Sequence, residues 1–552
     1  MTLDGARPLG ARNVMARRNR WAVLAILVAG LAGILAVTAR PGHSQGESML
    51  RIAIQADPTT LDPALTNDPT GTAILQNVYT PLVDVDARGR VHPLAAKSWT
   101  VSPDGRTYRF VLRDDLVFHS GRKATAADVK YSLDRLADAK VNAPNASLLL
   151  SPIEGYEDAK AGKATELRGV KAVSPSEVEI RVDRPAEGDL LVRLAHVSTG
   201  IVAKESIEKG GANWSTTQAN GTGPFRLAEW SLRQRIALAA HPGYFGGAPK
   251  IGKVVFEIVP EPAVGVQKYE AGELDIVQVP ASDYGRLKAD SKLGQELAEF
   301  NRAATVFLML NQKAYAPFKD IRVRQAVAHA INRPQMARTA LQGLYEPASG
   351  VLPPGFPGNT GPLPAIPFDP ARAKALLTEA GFPGGKGLPP LVLGPNPRGF
   401  GPRLAAEVVA AMLQENLGMQ VQVQVLDIAK WRQDLRKADV FAGVTGWTAD
   451  IADPNYYLFA LFDTKAPFAY FSGYASPSYE EKLATANREP NRAELLKKLR
   501  DVEQFLVVTD VGVVPLYHIR EVILRKPYVK NLTFTPYGLG FMEHLGTAAI
   551  VR

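Results

Sequence analysis

Between residues 391 and 425 the chain reads strand, helix, strand. The apolar run Leu391 to Leu393 leads into Arg403 to Leu417, whose apolar residues recur at helical spacing. Gly418 stops that helix before Val421, Val423 and Val425 alternate toward one face. Two strands joined through a helix of this length lie parallel with a right-handed crossover, so this part is α/β, its sheet covered by helices. The neighbouring sequence fits. Thr305 to Leu310 reads as a buried strand, and Val323, Ala326, Val327, Ala330 and Ile331 form a helical stripe behind Asp320. Pro347 to Pro370, rich in Pro and Gly, is a surface excursion. Asp369 as cap and Pro370 in the first turn open a helix carrying Ala373, Leu376, Leu377 and Ala380, ended by Gly381. The last long helix is expected over Arg492 to Val507, before a strand from Val511 to Tyr517.

Before about residue 300 the periodicity is mixed. Leu50, Ile52 and Ile54 alternate as a strand with one buried face, and a helix carries Ile74, Leu75 and Val78. Tyr108, Phe110 and Leu112 mark a strand over Arg106 to Arg113, with Asp104-Gly105 as the turn before it. Thr125-Ala126-Ala127-Asp128 has the spacing of a capping box ahead of Val129, Leu133 and Leu136. Further strands are expected at Val178 to Val182, Val254 to Val259 and Leu274 to Val279.

The 552 residues are enough for two to four compact units, and 46% hydrophobic with 22% charged residues is a globular composition. Cysteine is absent, which excludes disulfides, thiolate metal sites, a cysteine nucleophile and a lipidated N-terminal cysteine. Of the net charge of +9, residues 1 to 39 hold +4, from five arginines against one aspartate, which leaves a modest +5 for the much longer remainder. No dense basic block interleaved with aromatics follows, so no nucleic-acid partner is expected. Arg17, Arg18 and Arg20 precede the uncharged stretch Trp21 to Thr38. This is the layout of an export signal over residues 1 to 39, with small residues at Val37-Thr38-Ala39 for cleavage and an uncleaved anchor as the competing reading. The body of the chain is therefore expected outside the cytoplasm, in the periplasm. None of the nucleophile-elbow, phosphate-loop, dinucleotide or zinc-protease motifs occurs, and the eight histidines are far apart in sequence. No catalytic residue, metal or cofactor is expected; ligand capture leads.

Several stretches, in order, resemble the extracellular solute-binding proteins of family 5. The first runs from Tyr79-Thr80-Pro81-Leu82 through Ser98-Trp99, Asp104-Gly105-Arg106-Thr107-Tyr108 and Phe118-His119-Ser120-Gly121 to Ala127-Asp128-Val129. Gly221-Thr222-Gly223-Pro224-Phe225 follows, then Asn311, Pro317-Phe318, Val323-Arg324-Gln325-Ala326 and Ala330-Ile331-Asn332-Arg333. Trp447-Thr448-Ala449-Asp450, Asp453-Pro454 and Pro515-Leu516-Tyr517-His518 complete the series. The resemblance implies a two-lobed periplasmic-binding-protein fold of type II, the large peptide-binding class, with an extra subdomain in lobe one. Lobe one would comprise 48–300, with the subdomain at about 85–205, and a C-terminal return over 515–552; lobe two would be 301–514. It further implies a short peptide or peptide-like solute as ligand, an ABC permease in the inner membrane as partner, and a monomer.

Asp450 follows the apolar stretch Val440 to Val444, where a strand end can present a carboxylate. By resemblance it matches the aspartate that pairs with a peptide's α-ammonium; a loop or capping aspartate is the competing reading. Trp447, in the same motif, is expected to line the cleft, since an indole offers broad apolar area to varied side chains. Arg398 is placed like a carboxylate-clamping arginine, with Arg403 as the competing clamp. Trp431 is a further candidate cleft aromatic against a reading as helix packing. His329 and His518 are expected to be structural, and Gly221, Gly223 and Pro224 to shape backbone. A nickel-chelate, opine or oligosaccharide ligand, a chaperone or sensor role, and an exported peptide hydrolase using Asp450 and Asp453 as bases are the alternatives.

Overall fold

The computed structural model describes residues 48–551 except 88, 184–188, 398–400, 438–441, 467, 490, 538–539, 541 and 543. The export signal and Arg398 lie outside the described residues. Among the described residues, no helix is long and apolar enough to cross a membrane.

The architecture is organised by two unusually long antiparallel strands, Leu297–Leu310 and Val513–Arg525. At about 3.4 Å per residue each spans over 40 Å, roughly twice an ordinary strand. They form the middle of an eleven-stranded sheet. On one side, Ala442–Thr448, Leu391–Pro395 and Val421–Val423 extend it from the end of Leu297–Leu310. On the other side, Ile276–Gln278 pairs with the far end of Val513–Arg525, and Met49–Ile54, Lys253–Ile258, Arg235–Ala240 and Phe225–Ser231 follow. Glu346–Pro347 pairs with Val513–Arg525 beside this path. A separate four-stranded antiparallel sheet is built from Ala96–Val101, Thr107–Leu112, Glu177–Arg181 and Val170–Ser174.

The strand–helix–strand unit forms as its sequence requires. Leu391–Pro395 is parallel to Val421–Val423 across the helix Pro402–Leu417, which buries Ala405, Ala406, Val409, Leu413 and Leu417 against the sheet and ends at Gly418 in the left-handed region. Asp320 and Asp369 cap their helices by accepting N–H bonds from Arg322 and Arg372, and in the capping box the Thr125 N–H donates to Asp128 at 2.8 Å. Several boundaries differ from expectation. The helix after Asp68 is Pro69–Leu75, leaving Val78 outside it, and the strands expected over Leu274 to Val279 and Val421 to Val425 shorten to Ile276–Gln278 and Val421–Val423. The last long helix is Arg492–Gln504, followed by a wider π turn over Phe505–Thr509. Both central strands are much longer than their apolar runs.

The strand pairing changes partway along. Asn301 sits opposite Arg520 and Thr305 opposite His518, so Arg302, Ala303 and Ala304 face Ile519 alone. Such a bulge bends its strand. At this place the Arg302 guanidinium pairs with Glu521 at 3.0 Å, both side chains being 4% exposed or less. His518, buried beside it, shares a 2.9 Å hydrogen bond with Thr305, and burial pushes its pKa down to about 4, so it is neutral. A buried ion pair is costly to break one-sidedly, because the surviving charge stays desolvated. Glu521→Gln should lower the unfolding free energy by about 3–5 kcal/mol. A urea titration would show this as a shifted midpoint; an unchanged midpoint would mean that the pair does not hold the bulge.

Candidate functional site

Strand Ala442–Thr448 ends beside the bulge. The Ala449 N–H donates to the Ala303 carbonyl at 2.7 Å, and the Tyr457 hydroxyl donates to the same oxygen at 2.7 Å. This double anchor fixes the segment Trp447–Tyr457, which carries the candidate side chains. Trp447 is half-buried. Its indole N–H donates to the Tyr456 carbonyl at 2.9 Å, and its ring packs against Tyr456, Phe468 and Phe471 at centroid separations of 5.5, 5.2 and 5.8 Å. Trp431 stands behind this cluster: it is 1% exposed, donates its N–H to the Gly394 carbonyl and touches Phe471. Its surroundings are those of packing, with an indirect hold on the aromatic wall.

Asp450 is partly exposed as a residue, yet its carboxylate is enclosed. The Tyr456 hydroxyl donates to Oδ2 at 2.9 Å, while Oδ1 is buried with no hydrogen-bond partner among the described residues. A buried acceptor without a donor is costly, and a carboxylate more so than a neutral oxygen. Burial pushes the Asp450 pKa up to about 6 against the opposing pull of Tyr456 and Arg302, and the nearby Asp68 raises it further. Asp68 belongs to the other end of the sheet, where it caps the helix Pro69–Leu75 and accepts from Thr59 and the Gly71 N–H.

Beside this segment lies a cavity of ≈ 290 Å³ whose walls come from Phe300, Asn301 and Ala303, from Pro354–Phe356 and from Phe534–Tyr537, with Ala87 also lining it. Ala303 is thus shared by the cavity wall and the anchor of the Asp450 segment. Phe356 meets Tyr457 and Tyr537 edge to face at 5.6 and 6.0 Å.

The other candidates are held elsewhere. Arg403 is exposed and paired with Glu407 one helical turn on, at 3.0 Å. Asp453 is buried and caps its own turn; burial opposes its charge, yet Arg492, 2.5 Å away, and Arg193 hold its pKa below the usual carboxylate range. That carboxylate is committed to an ion pair. The His329 ring shares a hydrogen bond with the Pro367 carbonyl. Arg324, from the Val323-Arg324-Gln325-Ala326 motif, is buried and bonds Phe318 and Asp510. A Cβ on Gly221 or Gly223 would come within 2.0 Å of the Val78 carbonyl or 2.5 Å of the Asn77 carbonyl, so close backbone approach requires glycine at both. Tyr456, Phe468 and Phe471 were not singled out in the sequence. The Asp453-Pro454-Asn455-Tyr456 turn is the one local signal that a second residue serves Asp450.

The mixed α/β architecture, one large sheet built on two long strands, is that of the two-lobed solute-binding proteins. The chain belongs to the bacterial extracellular solute-binding proteins, family 5, whose middle region matches residues 90–468. It is 27% identical to heme-binding protein A of Haemophilus influenzae over 504 residues, 87% of this chain and 89% of that protein. It is 28% identical over 514 residues to the probable di/tripeptide-binding protein 5 of Pseudomonas aeruginosa, covering 89% and 94% of the two chains. The murein tripeptide binding protein MppA of Escherichia coli superposes with a TM-score of 0.81 at 26% identity, over 92% of this chain and 99% of that one. An unliganded open form of MppA superposes with a TM-score of 0.70 at 26% identity, over 92% of this chain and 98% of that one.

The raised pKa has a measurable sign. A carboxyl whose folded pKa lies above its unfolded value of 3.8 stabilises the fold below 3.8, and that contribution is lost as pH rises through about 6. Relative to Asp450→Asn, the unliganded protein should therefore lose thermal stability as pH rises across this window. Parallel melting curves for the two proteins would contradict the enclosed carboxylate.

Proposed function

We propose that this chain captures a short peptide or peptide-like solute between its two lobes in the periplasm and delivers it to an ABC permease of the inner membrane, acting as a monomer and without covalent chemistry. The observation that carries the reading is Asp450: an enclosed carboxylate with one oxygen already held by Tyr456 and the other lacking a donor among the described residues. A ligand α-ammonium supplies that donor and the opposite charge together. Trp447, with Phe468 and Phe471, would form the aromatic wall against which solute side chains pack, and Trp431 would brace Phe471 from behind. Arg398, three residues beyond strand Leu391–Pro395 in sequence, remains our candidate for a carboxylate clamp.

We place lobe one at 48–300, with a subdomain over about 85–205, and its return at 515–552; lobe two is 301–514. The separate four-stranded sheet between Ala96 and Arg181 and the change of pairing at Arg302–Ala304 support these limits. The strand Val513–Arg525 would then run across both lobes, and hinge motion at the bulge would open and close them. Peptide and tripeptide binding by the relatives supports this solute class over the nickel-chelate, opine and oligosaccharide alternatives. A hydrolytic pair of bases is disfavoured by the engagement of Asp453 with Arg492.

Asp450→Ala should weaken peptide retention by about two to three decades, since the ligand's cation would be buried without its partner. Isothermal titration of the purified protein with a peptide pool, together with mass analysis of the recovered peptides, checks both parts. Unchanged affinity removes Asp450 from the site, and cleaved peptides remove the binding-only reading.

A further inference from the structure

The cavity beside the bulge has walls of a single character. Phe300 and Phe534 lie 4.8 Å apart between ring centroids, and Phe356 meets Tyr537 edge to face. Prolines and small residues fill the rest, and no charged side chain is among the described lining residues. Asn301, exposed at the rim, Thr535 and the Tyr537 hydroxyl, which is buried without a hydrogen-bond partner among the described residues, provide its neutral polar groups. Arg302, between the lining residues Asn301 and Ala303 in sequence, is buried and ion-paired with Glu521. A lysine, arginine or carboxylate side chain placed here would lose water and gain no opposite charge, whereas an apolar or aromatic group would gain contact on several sides.

We infer that this cavity is a selectivity subsite that takes an uncharged, apolar or aromatic side chain of the solute whose ammonium meets Asp450. The inference rests on the peptide reading of the site and adds the class of peptide. Two features connect the cavity to Asp450. The Ala303 backbone lines it and anchors Ala449, the residue before Asp450; and Phe356 of its wall packs on Tyr457 of the same segment. The volume of ≈ 290 Å³ lies at the small end of ligand pockets, which run from about 300 to 1,000 Å³, and so suits one large side chain rather than an extended peptide. Its three walls come from Leu297–Leu310, from the excursion after Pro347 and from the C-terminal segment, on both sides of the bulge. A side chain that fills it therefore touches parts that hinge motion separates, and favours closure.

The test uses the full mature protein and two dipeptide series, Xaa-Ala and Ala-Xaa, with Phe, Lys or Glu as Xaa, titrated calorimetrically. In at least one series Phe should bind about tenfold or more tighter than Lys and Glu. Asn301→Asp is nearly isosteric at an exposed position, and the charge it adds at the rim should shift the Lys-to-Phe affinity ratio toward Lys by about tenfold. Peptides that bind with equal affinity whatever the side chain, or a ratio unmoved by Asn301→Asp, overturn the subsite while leaving the peptide reading intact. Failure of all six dipeptides to bind removes the peptide reading and the subsite with it.

Discussion

Two antiparallel strands, Leu297–Leu310 and Val513–Arg525, hold this molecule together, and the interruption in their pairing determines the rest. Unbroken pairing over that length would make a stiff, twisted ribbon. The extra residues at Arg302–Ala304 bend it, and the sheet then grows in two directions from opposite ends of the same two strands. Burying Arg302 and Glu521 at the bend is expensive in desolvation and is offset only while the two remain in contact. The bend is thereby tied to one arrangement of charges.

The same interruption frees backbone groups for other partners. The Ala303 carbonyl accepts from Ala449 and Tyr457, which brings the Trp447–Tyr457 segment to the bend and holds Asp450 beside a partly closed space. Tyr456 then takes one carboxylate oxygen and leaves the other. The bend, the anchor and the enclosed carboxylate are thus linked through Ala303. Any ligand that satisfies Asp450 and touches both sides of the bend is bound more tightly in the closed form than in the open one, which is the thermodynamic condition for closure.

Much of this was legible locally. Caps at Thr125, Asp320 and Asp369 and the stop at Gly418 act within one helical turn, so sequence spacing reveals them. The order of short motifs was enough for the family. The crossing strands were underestimated for a physical reason. Leu297–Asn301 exposes alternate polar side chains, and His518 and Glu521 interrupt the apolar run of the second strand. They are buried because Thr305 and Arg302, more than two hundred residues earlier, satisfy them. The cavity likewise joins segments near residues 300, 355 and 535, a juxtaposition that no local periodicity encodes.

The account stands on closure around a bound solute. Small-angle X-ray scattering of the purified protein with and without a saturating short peptide that bears a free α-amino group measures this directly. A smaller radius of gyration in the bound state, absent in Asp450→Ala at the same peptide concentration, is the expected result. Calorimetrically proven binding with superimposable scattering curves would contradict it.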